Sequence, residues 1–343
     1  MKTDIPLTHH AGIQLPLICG PMYPCSNPEL VAAASDAGAI GVVQPLSLTY
    51  VHGHDFREGL RLIKSITDRP SGMNALIEAS SKRYHNQNVE WIDIALEEGV
   101  RFFITSLGKP RWVVDRVSAV GGVVYHDITE RKWALKALDS GVQGLIAVNR
   151  RAGGHAGGLG QAPLLEEVSD LGLPVVCAGG IGTPEQFVEA LRLGYAGVQM
   201  GTRFIATTEC RASTPYKQSI LDAEEADIVL TERLSGIPVA VINTPYVQRR
   251  GTKSGSLARW MLRGPTWMKH LMRTIYALKS TFELKRTSLD EQGTKDYWQA
   301  GCSVSGIDEI LSAREVVKRC ADAIAGDSQL MDMLTTYAER YRE

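Results

Sequence analysis

Gly144-Leu145-Ile146-Ala147-Val148 runs directly into Asn149-Arg150-Arg151-Ala152-Gly153-Gly154-His155-Ala156-Gly157-Gly158, a glycine-rich loop holding one histidine. The first part is short and apolar throughout, the pattern of a strand buried on both faces. The glycines that follow let backbone or ligand approach closely, because no Cβ intervenes. An imidazole in such a loop titrates near neutrality. By itself the loop reads equally well as a turn carrying an incidental surface histidine, so its surroundings have to decide.

Outward from this unit the same alternation repeats. Apolar runs at 15–19, 40–43, 72–76, 101–105, 123–126, 144–148, 174–178 and 197–200 predict strands. Helical spacing fills the intervals at 28–37, 56–67, 89–98, 129–140 and 184–193, with Asn27 and Thr183 as caps and Pro184 in a first turn. Strict β-α alternation gives a parallel sheet, and eight units close more naturally into a (β/α)8 TIM barrel than into an open sheet. A doubly wound open sheet would carry Gly-x-Gly-x-x-Gly after its first strand. This chain has Cys19-Gly20-Pro21-Met22-Tyr23-Pro24 there. The barrel is the better reading.

Beyond about residue 205 the pattern changes. Residues 207–247 look mixed and partly helical, and 249–286 are strongly basic with Glu283 as the single acid. Trp260, Trp267, Met268, Leu271 and Ile275 interleave with those charges at amphipathic helical spacing. We therefore expect residues 1–206 and 293–343 to form the barrel, and 207–292 a smaller, mainly helical domain over its mouth. Trp260, Trp267 and Tyr246 are candidates for shaping the pocket. The basic face is either solvated or a dock for an acidic partner such as an acyl carrier protein. Residues 304–324 read as a returning helix, with 313–317 closing the barrel.

Composition narrows the class. The 343 residues are 44% hydrophobic and 22% charged with net charge −1, which describes a soluble globular protein without a bias toward nucleic acid or membrane. The opening Met1-Lys2-Thr3-Asp4-Ile5-Pro6 has no apolar core of a signal peptide, and six scattered cysteines form no Cys-x-x-Cys pair. A cytoplasmic location is the expectation. His52-Gly53-His54 lacks an evident third ligand, so no metal site is expected. Cys19 and Cys25 read as packing residues, and His9 and His10 as exposed.

In this fold the chemistry sits at the carboxyl ends of the strands. Those ends carry Gly20-Pro21-Met22, Gln44, Asn74, Thr105-Ser106, His126-Asp127, the His155 loop, Gly179-Gly180 and Gly201-Thr202. The glycine turns after strands seven and eight offer consecutive backbone N–H groups at helix N-termini, which suit a phosphate. His155 stands one strand away. His126 is expected to face the mouth as well.

Together these motifs resemble the nitronate monooxygenase family. The resemblance rests on Ala152-Gly153-Gly154-His155-Ala156-Gly157, Ala178-Gly179-Gly180-Ile181, Gly201-Thr202-Arg203-Phe204, Gly20-Pro21-Met22 with the segment 27–38, Gly72-Met73-Asn74, and Tyr297-Trp298-Gln299-Ala300-Gly301. It implies a barrel holding FMN, which oxidises alkyl nitronates, or nitroalkanes after loss of an α-proton, with O2 to carbonyl compounds and nitrite. On that basis Pro21, Met22 and Asn74 would contact the flavin ring or ribityl chain. Gly179, Gly180, Gly201 and Thr202 would hold the phosphate, and His155 would be the catalytic group. The chain departs from the family where Arg151 replaces a frequent glutamate, Asp127 a lysine and Cys302 a glutamine. An Asp127 carboxylate near a reduced flavin is unfavourable unless Arg151 compensates across the mouth. The alternatives are an NAD(P)H-dependent flavin reductase of the enoyl-acyl-carrier-protein reductase or quinone reductase type, and a barrel that binds phosphate without flavin or without turnover.

Overall fold

All eight apolar runs form strands: β1 Leu17–Cys19, β2 Ile40–Val43, β3 Gly72–Leu76, β4 Phe102–Ser106, β5 Val123–Ile128, β6 Gly144–Val148, β7 Val175–Ala178 and β8 Gly197–Met200. The computed structural model describes residues 5–77, 82–255, 266–291 and 296–339. Each strand pairs in parallel with the next, and β1 pairs with β8 in the register Ile18↔Gln199, so the sheet closes. The barrel expected from the alternation is the one observed.

Strand side chains alternate between two environments, as the two-residue period requires. Ile18, Ile40, Val42, Phe102, Ile104, Tyr125, Ile146 and Val176 pack together inside the barrel. Their neighbours Leu17, Val43, Phe103, Val124, Leu145 and Cys177 join the cluster beneath the helices. The inside is therefore a packed core, closed at its amino end by α1 (Pro6–Ala11), whose Leu7 and Ala11 belong to the inner cluster. His10, expected to be exposed, instead lies half-buried there with its Nδ1 3.0 Å from the Tyr125 hydroxyl.

The helix layer comprises α2 Pro28–Asp36, α3 Phe56–Ile66, α4 Lys82–Glu97, α5 Arg111–Ser118, α6 Arg131–Asp139, α7 Gln161–Glu166 and α8 Pro184–Arg192. Thr183 caps α8 in a reciprocal capping box with Gln186. α4 starts well ahead of residue 89 because its first turns are polar, which hydrophobic periodicity does not register. The expected helix over 304–324 is split. A 3-10 turn covers Cys302–Gly306, and after α9 (Thr202–Ile205), α10 (Thr214–Asp222), α11 (Pro245–Arg250) and α12 (Thr266–Leu289) the next helix is α13, Ala313–Ala325. α13 packs on α2 and α8, sealing the ring where the barrel closes, and α14 (Ser328–Glu339) follows it.

The segment over the mouth is less uniformly helical than expected. It contains an antiparallel pair, β9 Ile228–Thr231 and β10 Val239–Ile242, besides α10, α11 and α12. α12 rests on the first two barrel loops: Tyr23 Oη donates to the Thr281 carbonyl at 2.6 Å, and Lys285 Nζ donates to the Tyr50 carbonyl at 2.6 Å. Tyr246 packs edge-on against Tyr297, with ring centroids 5.2 Å apart. Trp260, the Trp267 side chain and the boundary at 292/293 lie outside the described residues, as do Arg259, Arg263 and the side chains of Lys269 and Arg273 of the basic face. Among the described residues no helix is long and apolar enough to cross a membrane.

Gly144 shows how tightly the inside is filled, since a Cβ there would fall 2.3 Å from the Tyr125 ring. The Gly144→Ala substitution is expected to cost about 1–3 kcal/mol through overpacking. Chemical denaturation would register this as a lower midpoint at an unchanged m-value. An unchanged midpoint would mean that the ring is free to move aside.

Candidate active site

Strand parity decides which polar residues reach the mouth. Asn74, Asp127 and Gln199 share the inward phase of Gly72, Tyr125 and Gly197 on their strands. Asn74 Oδ1, Asp127 Oδ1 and Gln199 Oε1 are all buried and have no hydrogen-bond partner among the described residues. Buried polar atoms are normally paired, so three such oxygens around one opening describe a site shaped for a heteroatom-bearing ligand. Desolvation pushes the Asp127 carboxyl up to about 7. His126 has the opposite phase. Its Nδ1 lies 2.8 Å from Thr105 Oγ1 beneath the helices, and burial holds it down at about 4. The expectation that His126 faces the mouth is therefore corrected: Asp127 does.

The turn after β7 is built for an anion. Gly179 and Gly180 have φ of 115° and 77°, conformations that favour glycine. The Gly179 carbonyl accepts from Asn149 Nδ2 at 2.9 Å and from Gln161 Nε2 at 3.0 Å. A trans peptide then directs the Gly180 N–H away from those two side chains. Met22 borders the neighbouring turn, since a Cβ on Gly201 would lie 3.6 Å from its sulfur. Thr202 Oγ1 accepts from the Gly301 amide at 3.0 Å.

The His155 loop is fixed from two sides. The Ala240 amide of β10 donates to the Gly154 carbonyl at 2.8 Å, which joins the loop to the β9–β10 pair. Below it, a Cβ on Gly153 would fall 3.0 Å from the Ala300 and Gly301 backbone. His155 Nε2 lies 3.1 Å from Ser235 Oγ, and that hydroxyl donates to the Ile237 carbonyl at 2.9 Å. The Ser235 hydroxyl thus bridges the His155 ring to the Ile237 carbonyl and fixes the ring from the lid side. One face of the ring is open, yet the surrounding chain crowds it enough to hold its pKa below the usual imidazole value. The arrangement leaves a neutral base on the rim.

Sequence reasoning thus located the elements that converge here: Met22, His155, the Gly179-Gly180 turn and the Gly201-Thr202 turn occupy one end of the barrel, and Asn74 the inner wall at that end. Pro21 lies half-exposed on the same loop as Met22. Asn149, Gln161 and Gln199 went unremarked. Gln199 was recoverable from its alternation with Gly197, whereas the roles of Asn149 and Gln161 depend on a fold-back that no local pattern reveals. Arg151 does not compensate Asp127. Its Nη2 pairs with Glu225 Oε2 at 2.7 Å instead. His52 Nε2 lies 3.2 Å from the Pro24 carbonyl, and no cluster of three or more metal-ligating residues occurs among the described residues.

A closed (β/α)8 barrel with paired glycine turns, a rim histidine and unpartnered inner oxygens at the carboxyl ends of its strands is the frame of a barrel enzyme. The chain belongs to the nitronate monooxygenase family, whose model matches residues 5–322, and it is a flavin-dependent oxidoreductase. It is 30% identical over 263 residues to the (3aS,4S,5R,7aS)-5-hydroxy-7a-methyl-1-oxo-octahydro-1H-indene-4-carboxyl-CoA dehydrogenase of Mycobacterium tuberculosis, covering 76% of this chain and 71% of that protein. In fold it resembles FabK of Thermotoga maritima, with TM-score 0.77 and 24% identity over 97% of this chain and 99% of that one. It also resembles a nitroalkane oxidase of Streptomyces ansochromogenes, with TM-score 0.73 and 22% identity over 93% and 98% of the two chains. The unpartnered inner oxygens fit the polar edge of a flavin ring, and the glycine turns fit a flavin phosphate.

Asp127 gives the ligand-free protein a pH signature. Its folded-state pKa of about 7 lies above the ordinary 3.8, so the folded chain holds a proton that the unfolded chain releases. The stability contributed by this group is full below about pH 4 and is lost as pH rises through 7, by on the order of a few kcal/mol. Asp127→Asn is expected to remove that decline, leaving the apoprotein more stable than the wild type at pH 8 and little changed at pH 4. Urea unfolding at the two pH values measures it; equal wild-type and variant slopes would show that the carboxyl titrates normally.

Proposed function

We propose that the chain binds FMN and oxidises a carbon acid, a compound whose C–H is acidified by a neighbouring nitro group or thioester carbonyl. The observation that carries this reading is the His155 imidazole itself, anchored 3.1 Å from Ser235 Oγ on the rim of a flavin-family barrel and held below its usual pKa, so that it stands unprotonated at neutral pH. Such a base removes the α-proton, and positioned proton transfer of this kind contributes typically 10²–10⁴-fold in rate. FMN, when bound, supplies the electron acceptor. In our reading Gly179, Gly180, Gly201 and Thr202 hold its phosphate, while Pro21, Met22 and Asn74 border its ring or ribityl chain. Gln199 lines the same wall. Asp127, near half-protonation at neutral pH in the empty barrel, offers a hydrogen bond to a ring acceptor as its acid form.

The family description supports nitronates as substrates of a monooxygenase, and the resemblance implies nitroalkanes as their precursors, O2 as oxidant, and a carbonyl compound and nitrite as products. A preformed nitronate needs no base, whereas a neutral carbon acid gives His155 a proton to remove. A thioester is the second reading, favoured by the similarity to a carboxyl-CoA dehydrogenase.

Anaerobic reduction of the bound flavin by nitroethane, propyl nitronate, an acyl-CoA thioester and NADH, run in parallel, separates these readings. Reduction by a neutral carbon acid is expected. Rapid reduction by NADH alone would make the protein a nicotinamide-dependent reductase instead. His155→Asn should retain FMN and lose at least about 100-fold in kcat/KM. In the wild type kcat/KM should fall only as pH drops through the lowered His155 pKa, below the usual ~6.5. Full turnover in His155→Asn would remove His155 from the chemistry.

A further inference from the structure

We infer that Arg151 is a phosphate ligand of the bound cofactor and sets the preference of this protein for FMN over unphosphorylated flavin. The inference rests on the FMN reading above. Its starting point is where the side chain lies. Arg151 is draped over Gly180, such that a Cβ there would fall 2.9 Å from Arg151 Cβ, 3.1 Å from Cδ and 3.0 Å from Nε. The guanidinium stem thus borders the turn whose amides are offered to an anion.

Its position is imposed rather than adopted by chance. The Arg151 amide donates to Asn149 Oδ1 at 2.8 Å, and the other end of the same side-chain amide grips the Gly179 carbonyl at 2.9 Å. Arg151 and the Gly179-Gly180 turn are therefore held by one residue. On the opposite side the Cys302 amide donates to the Arg151 carbonyl at 2.9 Å. At its tip, Nη2 donates to Glu225 Oε2 at 2.7 Å, which fixes the plane of the guanidinium.

One donor of this side chain is buried without a partner. Arg151 Nε is buried and has no partner among the described residues. A buried cationic N–H without an acceptor is costly, and a phosphate dianion is the acceptor that best offsets it. Glu225 bonds Nη2 alone, and the Nε–H is left without an acceptor beside Gly180. Flavin phosphate would then be held by a charged side chain as well as by backbone amides.

The test titrates the apoprotein with FMN and with riboflavin, following flavin fluorescence, in the wild type, Arg151→Gln and Arg151→Lys. Loss of a charge-assisted hydrogen bond should weaken FMN on the order of tenfold to a hundredfold, while riboflavin affinity stays unchanged. Arg151→Lys keeps the charge but lacks the Nε–H at that position, so it too should weaken FMN selectively, and it carries the test if Arg151→Gln does not fold. Equal weakening of FMN and riboflavin would overturn the inference in favour of a purely structural role for Arg151, as would unchanged FMN binding in both variants. A wild-type protein that binds neither flavin would instead overturn the FMN reading.

Discussion

Gly153 and Gly301 approach so closely that neither tolerates a Cβ. One on Gly301 would fall 2.6 Å from the Gly153 nitrogen and 2.7 Å from the Arg151 carbonyl oxygen. This backbone crossing joins segments some 150 residues apart, and the other features of the mouth depend on it. From the crossing, Gly301 reaches Thr202 at the β8 turn and Cys302 reaches the Arg151 carbonyl. Just upstream, Trp298 stacks on Tyr216, with ring centroids 5.6 Å apart, and its carbonyl accepts from the Ile242 amide of β10. The histidine loop, the glycine turns and the β9–β10 pair are thus referred to one strap. Rigid positioning of this kind is what proton transfer over short distances requires.

Charge at the mouth is arranged by separation. Arg151 pairs with Glu225 through Nη2 and keeps a buried, unpartnered Nε beside the β7 turn. Asp127 lies in the barrel with burial as the cause of its raised pKa and no opposing cation among the described residues. A carboxyl so placed changes protonation state at small energetic cost near neutrality. The arginine stays charged under all such conditions. One end of the mouth is consequently a fixed cation and the other a group of adjustable charge.

How much of this was legible beforehand follows from the range of the interactions. The eight strands were readable because each is a local apolar run between glycines and caps, as at Ala178-Gly179-Gly180. The eventual side-chain direction was readable only where the strand end was right. Ending β5 at residue 126 put His126 and Asp127 together at the mouth, whereas a strand running to Ile128 turns Asp127 inward and His126 outward. His10 was misjudged because nothing local announces that α1 plugs the barrel. The antiparallel pair in the lid was missed because Ile228–Thr231 is only half-buried and short. The Arg151–Glu225 and Arg151–Gly180 contacts link residues that only the closed barrel and its cover bring together.

The anchoring of His155 shows why the cover matters for chemistry and not only for shelter. Its orienting partner, Ser235, belongs to the connection between β9 and β10, not to the barrel. Ser235 also contacts the Ile237 carbonyl, so the ring is held through Nε2 from the lid side. The base is therefore assembled from two parts of the chain that meet through the Gly154–Ala240 backbone bond. Variation in the lid can reorient the imidazole without any change in the glycine loop that carries it. That separation lets the cover vary the setting of the histidine while the strand ends stay constant.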